Sequence, residues 1–175
     1  MTAKDMVLTP RGLRFQGVLY PCVVGRGGLS DQKREGDGAT PVGTHRILEM
    51  HYRPDRMIRP NVWAQPIHPG DLWSDDAARG DYNLPVRAPY GGSHEVMRRA
   101  DPMYDLVLVT DWNYPQARPG HGSCIFMHQW RRPGFPTAGC VSLRRDHLRA
   151  IAARLLPGDR LIVPPLASGL RHHLR

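Results

Sequence analysis

Lysine is nearly missing from this sequence, cysteine is scarce, and long apolar runs do not occur. The 175 residues hold three cysteines, Cys22, Cys124 and Cys140. So few thiols, and an odd number, exclude a disulfide-stapled scaffold and fit a reducing compartment. At least one thiol must stay unpaired, so a reactive cysteine is worth seeking. The purest apolar run is Leu106–Val109. That is far short of the roughly 20 residues a membrane-crossing helix needs, so no membrane span is expected. The N-terminus reads Met-Thr-Ala-Lys-Asp-Met-Val-Leu-Thr-Pro-Arg, and Asp5, Pro10 and Arg11 interrupt any apolar stretch that could serve as a secretory signal. A cytoplasmic location is the expectation; a chain trimmed of its leader would look the same and would be periplasmic. Internal repeats and low-complexity tracts are missing too. Despite nine histidines there is no His-Glu-x-x-His and no paired Cys-x-x-Cys, so neither a metal nor a cofactor is expected.

The net charge is +8, with a pI near 10.0, and only Lys4 and Lys33 among the 24 cationic residues are lysines. A coding bias toward arginine is one reading. The others are functional: nucleic acid, or a smaller anionic ligand gripped through its carboxylates, because guanidinium pairs with phosphate and carboxylate in bidentate fashion. No nucleic-acid-binding module is recognisable, and the arginines cluster little outside the C-terminal third. Nucleic-acid binding therefore stands as the rival from a different functional class, and no nucleic-acid partner is expected.

Glycine (18) and proline (17) are abundant, which points to a turn-rich globular chain and away from a helical bundle. Short β-like runs cover Leu13–Gly17, Val18–Gly25, Thr44–His51, Tyr104–Thr110, Ser123–His128 and Leu161–Pro164, with Gly and Pro turn signals between them. The expected fold class is mostly β, sandwich or barrel-like, with long loops and one C-terminal amphipathic helix. Leu148, Ile151, Ala152, Leu155 and Leu156 form one helical face, Asp146 lies near its start, and Pro157-Gly158 stops it. A shorter helix is expected between Ser93 and Pro102. The segment from Arg53 to Arg87 reads as a long ordered excursion, either a substrate-covering loop or a surface insertion. The whole chain, 1–175, is expected to be one domain, with its core at about 18–164, a tail at 165–175, and a monomeric state.

The sharpest local feature runs from Gly122 to Leu143. A strand carries His128, a loop with Pro133-Gly134 and Pro136 turns the chain, and Thr137-Ala-Gly-Cys140 opens the next segment. Eleven residues separate His128 from Cys140, enough for the loop to set imidazole beside thiol. Acyl transfer by cysteine needs a thiolate, a base and donors for an oxyanion. His128 can be the base, and an imidazolium–thiolate pair would depress the thiol pKa. Gly139 permits close backbone approach, and the amides of Gly139 and Cys140 can form an oxyanion hole. A buried structural thiol is the other reading of Cys140. Cys124 and Cys22 read as core thiols.

Thr137-Ala-Gly-Cys140-Val after a histidine-bearing strand resembles the catalytic domain of the L,D-transpeptidase (YkuD-type) family. Lys33-Arg-Glu-Gly-Asp-Gly-Ala-Thr-Pro-Val-Gly-Thr44 resembles that family's early glycine-rich turn. Trp73-Ser-Asp-Asp76, Asp81-Tyr-Asn83, Ser93-His-Glu95, Tyr104-Asp105 and Asn113 extend the resemblance over about Val18 to Val163. It implies a mostly β fold and a cysteine acyl-enzyme that acts on peptidoglycan stem peptides. Such enzymes attack the carbonyl of an L-centre, usually diaminopimelate, and release the terminal D-alanine. Carried over, Cys140 is the nucleophile, His128 the base, and the Gln129 carbonyl orients the imidazole. Gly139 and Cys140 supply oxyanion amides. This chain has Ala138 where the better-known pattern has histidine, and a shorter gap between base and nucleophile, as in a short subgroup. With no export signal visible, L,D-carboxypeptidase action on cytosolic recycled or precursor tetrapeptides is the leading expectation. True transpeptidation in the envelope is the alternative.

Candidate substrate contacts are Trp73, Asp75, Asp76, Tyr82 and Asn83 around a pocket, with Thr137 in the nucleophile turn. His94-Glu95 reads either as a substrate contact or as a helix start. Arg144 is a candidate for the substrate carboxylate, with Arg131 and Arg132 as rivals. The turn Gly36-Asp-Gly-Ala-Thr-Pro-Val-Gly lacks the Gly-Lys-Ser/Thr of a phosphate loop and reads as a tight turn beside the site.

Overall fold

The computed structural model describes residues 4–165; the expected tail falls almost wholly outside them. The strands are β1 (Met6–Thr9), β2 (Gly12–Phe15), β3 (Val18–Tyr20), β4 (Cys22–Val23), β5 (Leu29–Ser30), β6 (Thr40–Pro41), β7 (Gly43–Tyr52) and β8 (Gln65–Pro66). They continue as β9 (Asp71–Ser74), β10 (Pro85–Arg87), β11 (His94–Val96), β12 (Leu106–Thr110), β13 (Phe126–Gln129) and β14 (Val141–Leu143). Helix α1 (Arg145–Ala152) and strand β15 (Arg160–Val163) complete the order. The fold is mostly β, with one helix among the described residues.

The main sheet runs β3-β2-β1-β15-β7-β12-β13-β14-β4, with β8 added beside β7. Its two ends, β3 and β4, are separated in the chain by Pro21 alone. The sheet therefore curls back on itself and nearly closes a barrel, which leaves little open edge. Pro21 also explains why the Val18–Gly25 run splits: without an N–H, proline cannot continue a ladder. Strands β1 and β2 belong to this sheet as well, upstream of the core start expected at residue 18. β1 pairs in parallel with β15, Met6 opposite Leu161, and Met6, Leu8, Leu13 and Phe15 are buried.

Strand β12 divides the interior. All five of its residues are buried. Side chains alternate across a strand, so Leu106 and Leu108 join the larger apolar cluster while Val107 and Val109 join a second one. The same alternation on β13 sends Met127 to the larger cluster and Phe126 to the second. His128, two residues beyond Phe126, shares its face. After the turn, Cys140 lies in the second cluster, while Val141 and Leu143 lie in the first.

The excursion from Arg53 to Arg87 is largely built structure. Its β9 is the centre of a small sheet, β10-β9-β11, and delivers Trp73 against Phe126, ring centroids 5.1 Å apart. The helix expected between Ser93 and Pro102 is replaced by β11, because His94, Glu95 and Val96 pair with Ser74, Trp73 and Leu72. Helix α1 stops at Ala152, short of Leu156. Its end is fixed from the excursion: the Asn61 side-chain amide donates to the carbonyls of Ala152 (3.1 Å) and Leu155 (3.0 Å), and Trp63 Nε1 donates to Leu155 O (2.9 Å). These bonds satisfy carbonyls that a helix end leaves open. Leu155 stays buried on the expected face, and Leu156 points outward.

Much of the arginine is absorbed locally. Arg53–Asp55, Arg99–Asp101 and Arg144–Asp146 form two-residue-spaced forks, and Arg160 pairs with Asp5 from the other end of the chain. Of these, Arg144–Asp146 is exposed on both sides, and a pair of that kind adds little to stability.

Candidate active site

Three loops meet where the Gly25, Gly38 and Gly139 backbones touch. A Cβ on Gly25 would lie 2.1 Å from Gly38 O and 3.0 Å from Gly139 Cα. Gly139 adopts φ +148, and a Cβ there would sit 3.0 Å from Ala39 O. Only glycine allows this approach. Thr40 locks it: its buried Oγ1 accepts the Gly25 N–H (2.9 Å) and donates to Gly139 O (2.7 Å). The early glycine-rich turn is thus a brace for the Cys140 turn. Asp37 shapes that brace by accepting the Lys33 ammonium (2.5 Å) and the Ala39 N–H (2.8 Å). Thr137 continues the brace, with its N–H to Val24 O (3.0 Å) and its hydroxyl to Cys140 O (2.6 Å).

In front of this turn lies a cavity of about 400 Å³. Cys140, His128, Gly139, Thr137 and Ser142 line it. Glu35, Asp75, Glu95 and Tyr104 line it too, and Arg26, Lys33, Arg99 and Arg131 supply cations. So the 11-residue loop does bring His128 and Cys140 to one pocket.

His128 is buried, and its Nδ1 lies 2.8 Å from the Gln129 carbonyl. A carbonyl only accepts, so in the neutral ring Nδ1 carries the hydrogen and Nε2 keeps its lone pair. Tyr104 packs edge-on against the imidazole, centroids 5.3 Å apart, and fixes its plane. Burial pushes the imidazole pKa down from 6.5 to about 4. Burial likewise pushes the Cys140 thiol up to about 12. The thiol donates to Cys124 O at 3.0 Å and receives the Phe126 N–H at 3.5 Å. Where the sequence suggested an imidazolium–thiolate pair, desolvation wins, and both groups rest neutral. Cys124 itself adopts φ 53, which turns its carbonyl to Cys140 and its N–H to Asn83 Oδ1 (3.0 Å).

Most of the expected substrate contacts stand elsewhere. Trp73 and Asn83 are core: Trp73 Nε1 donates to Asn83 Oδ1 (2.9 Å), while Asn83 Nδ2 donates to Asn113 O (2.7 Å). Asn83 adopts φ 56, a left-handed conformation asparagine tolerates. It joins β9, the Asn113 turn and Cys124. Tyr82 is buried and donates its hydroxyl to Glu35, which also accepts Ser123 Oγ (2.8 Å). His94 bonds Gly92 O through Nδ1 (2.7 Å) and packs on Tyr90. Arg144 leads into α1, exposed and forked to Asp146, and does not line the cavity. None of those five residues lines the cavity, whereas the candidates Thr137, Asp75, Glu95 and Arg131 do. Sequence reasoning missed Thr40, Arg26, Arg99 and Ser142. Ser142 was accessible by strand alternation from Cys140; Arg26 was visible only as part of a Gly-rich turn.

A thiol and a base with a free lone pair in one pocket are the parts that cysteine acyl transfer requires. The sequence profile of the L,D-transpeptidase (YkuD) catalytic domain matches residues 6–163, and the chain belongs to that family. It is an enzyme of L,D-transpeptidase type, a class whose substrates are peptidoglycan peptides. Comparisons with curated proteins and with solved structures give no match. No helix among the described residues is long and apolar enough to cross a membrane.

Thr40→Val keeps the shape of Thr40 but strands a buried N–H and a buried carbonyl. It should cost about 2–3 kcal/mol in urea unfolding, whereas Thr40→Ser, which keeps both bonds, should cost about 1 kcal/mol or less. A Val variant as stable as the parent would contradict the brace.

Proposed function

We propose that the protein is an L,D-carboxypeptidase acting on peptidoglycan stem tetrapeptides, with Cys140 as nucleophile and His128 as base. The carrying observation is the shared pocket in which the Gln129 carbonyl leaves His128 Nε2 as the free acceptor. Substrate entry displaces the resting thiol from Cys124 O. Cys140 Sγ attacks the carbonyl of the third residue as its proton passes to His128. The amides of Gly139 and Cys140 take the oxyanion. The Gly139 N–H rests on Thr137 Oγ1 at 3.1 Å, a neutral partner that a charged oxygen outcompetes. Collapse expels D-alanine, whose amine takes the His128 proton, and leaves a thioester. Water then adds, giving its proton to His128, and releases the tripeptide carboxylate with the thiol restored.

Arg26 and Arg131 support carboxylate binding in place of Arg144, since both line the cavity and neither has an acidic ion-pair partner among the described residues. A pocket of about 400 Å³ is at the small end for ligand sites and suits one peptide end with water as acceptor. The three free cysteines support action in the reducing cytosol, on recycled or precursor peptides.

Cys140→Ala should abolish release of D-alanine from a diaminopimelate-containing tetrapeptide, while Cys22→Ala, remote in the larger cluster, should retain it. Mass spectrometry of the products should show tripeptide plus D-alanine. A cross-linked or exchanged product would replace hydrolysis with transfer, and full activity in Cys140→Ala would remove the mechanism. The base must be neutral to act, and a lowered pKa keeps it neutral further into acid. The acid limb of kcat/KM should therefore lie well below 6.5, toward 4. A limb at 6.5 would contradict a desolvated base.

A further inference from the structure

The loop that follows β7 is tied to both ends of α1. The Arg145 guanidinium at the start of the helix donates to Arg56 O (3.4 Å), and the Asn61 amide donates to Ala152 O and Leu155 O past its end (3.1 and 3.0 Å). Met57 and Trp63 in this loop pack against the larger apolar cluster. Ile58 and Val62 do the opposite: they are 92% and 85% exposed, the most open large apolar side chains among the described residues. Leu156, just beyond the helix, is exposed as well.

The charge beside them is of one sign and unanswered. Arg59, Arg145, Arg149 and Arg154 have no acidic ion-pair partner among the described residues. Arg59 and Arg154 reach only neutral oxygens, those of Ala64 and Gln16. Arg145 and Arg149 stand four residues apart on α1 and repel each other. The nearby carboxylates are already taken, Asp105 by Arg56 and Asp146 by Arg144. Cations gathered without counter-charge call for an anionic partner, and open aliphatic side chains call for an apolar one. A bilayer with anionic headgroups offers both, phosphates for the guanidinium forks and an acyl boundary for Ile58 and Val62. Nucleic acid offers phosphates, but its bases stack on aromatic rings, and the ring in this loop, Trp63, is half-buried and bonded to Leu155.

We propose that the 58–62 loop and the arginine face of α1 form a peripheral docking surface for an anionic lipid bilayer, with Ile58 and Val62 entering the boundary between headgroups and acyl chains. The surface goes beyond the proposed function and does not depend on it, since none of its residues lines the Cys140 cavity.

The test is flotation of the intact protein with vesicles of phosphatidylcholine alone or of phosphatidylcholine mixed with phosphatidylglycerol. Binding to the mixed vesicles should be at least tenfold tighter and should weaken as salt is raised. The double variant Ile58→Ser/Val62→Ser, checked for folding by urea midpoint, should bind the mixed vesicles at least tenfold more weakly and keep the salt dependence. Arg145→Gln/Arg149→Gln should weaken binding by about tenfold or more and flatten the salt dependence. Equal binding to both vesicle types, or to neither, overturns the surface. Undiminished binding by the serine variant also overturns it, because diffuse charge alone would then account for adsorption. Salt-dependent binding to duplex DNA without binding to the mixed vesicles would overturn it in favour of a nucleic-acid surface.

Discussion

Thr40 Oγ1 holds the Gly25 N–H on one side and the Gly139 carbonyl on the other, 99 residues away in sequence. Everything at the site depends on this contact. It brings the Gly36–Gly43 turn, the end of β4 and the Cys140 turn within backbone contact, where neither Gly25 nor Gly139 has room for a Cβ. With those backbones fixed, Thr137 binds the Cys140 carbonyl, and the thiol lands on the carbonyl of Cys124. The hydroxyl is buried, so losing it exposes no water to take its place, and both partners would be stranded.

A second constraint follows from strand alternation. β12 and β13 each send one face to the larger apolar cluster and the other to the cluster that contains Cys140. That second cluster, with Trp73, Phe126 and Tyr104, is what keeps Cys140 and His128 dry. Dryness sets their charge state: the imidazole is held neutral and the thiol protonated. It also raises the value of any charge brought in, because attraction strengthens where water is excluded.

The strongly local features were legible in the sequence. The turns, the run of β12, the start of α1 and the approach of His128 and Cys140 to one cavity follow from glycine placement, period and spacing. What the sequence did not disclose depends on contacts between distant segments. Trp73 and Asn83 have the composition of a pocket wall, yet they bond each other and close the core, since only tertiary packing decides whether a polar aromatic faces in or out. Arg144 has the same parity as Cys140 and Ser142, but β14 ends at Leu143, and the chain turns into α1 before Arg144 can point inward. His94-Glu95 became a strand because β9 offered it a partner, which no local propensity announces.

The central claim is that Cys140 carries the acyl group. Rapid acid quench of the protein mixed with a diaminopimelate tetrapeptide, followed by peptide mapping in a mass spectrometer, tests it most directly. The account predicts a tripeptide acyl adduct, the substrate less D-alanine, on the peptide that contains Cys140. An adduct on Cys124 or another residue, or D-alanine release at full rate with no adduct at any quench time, would contradict it.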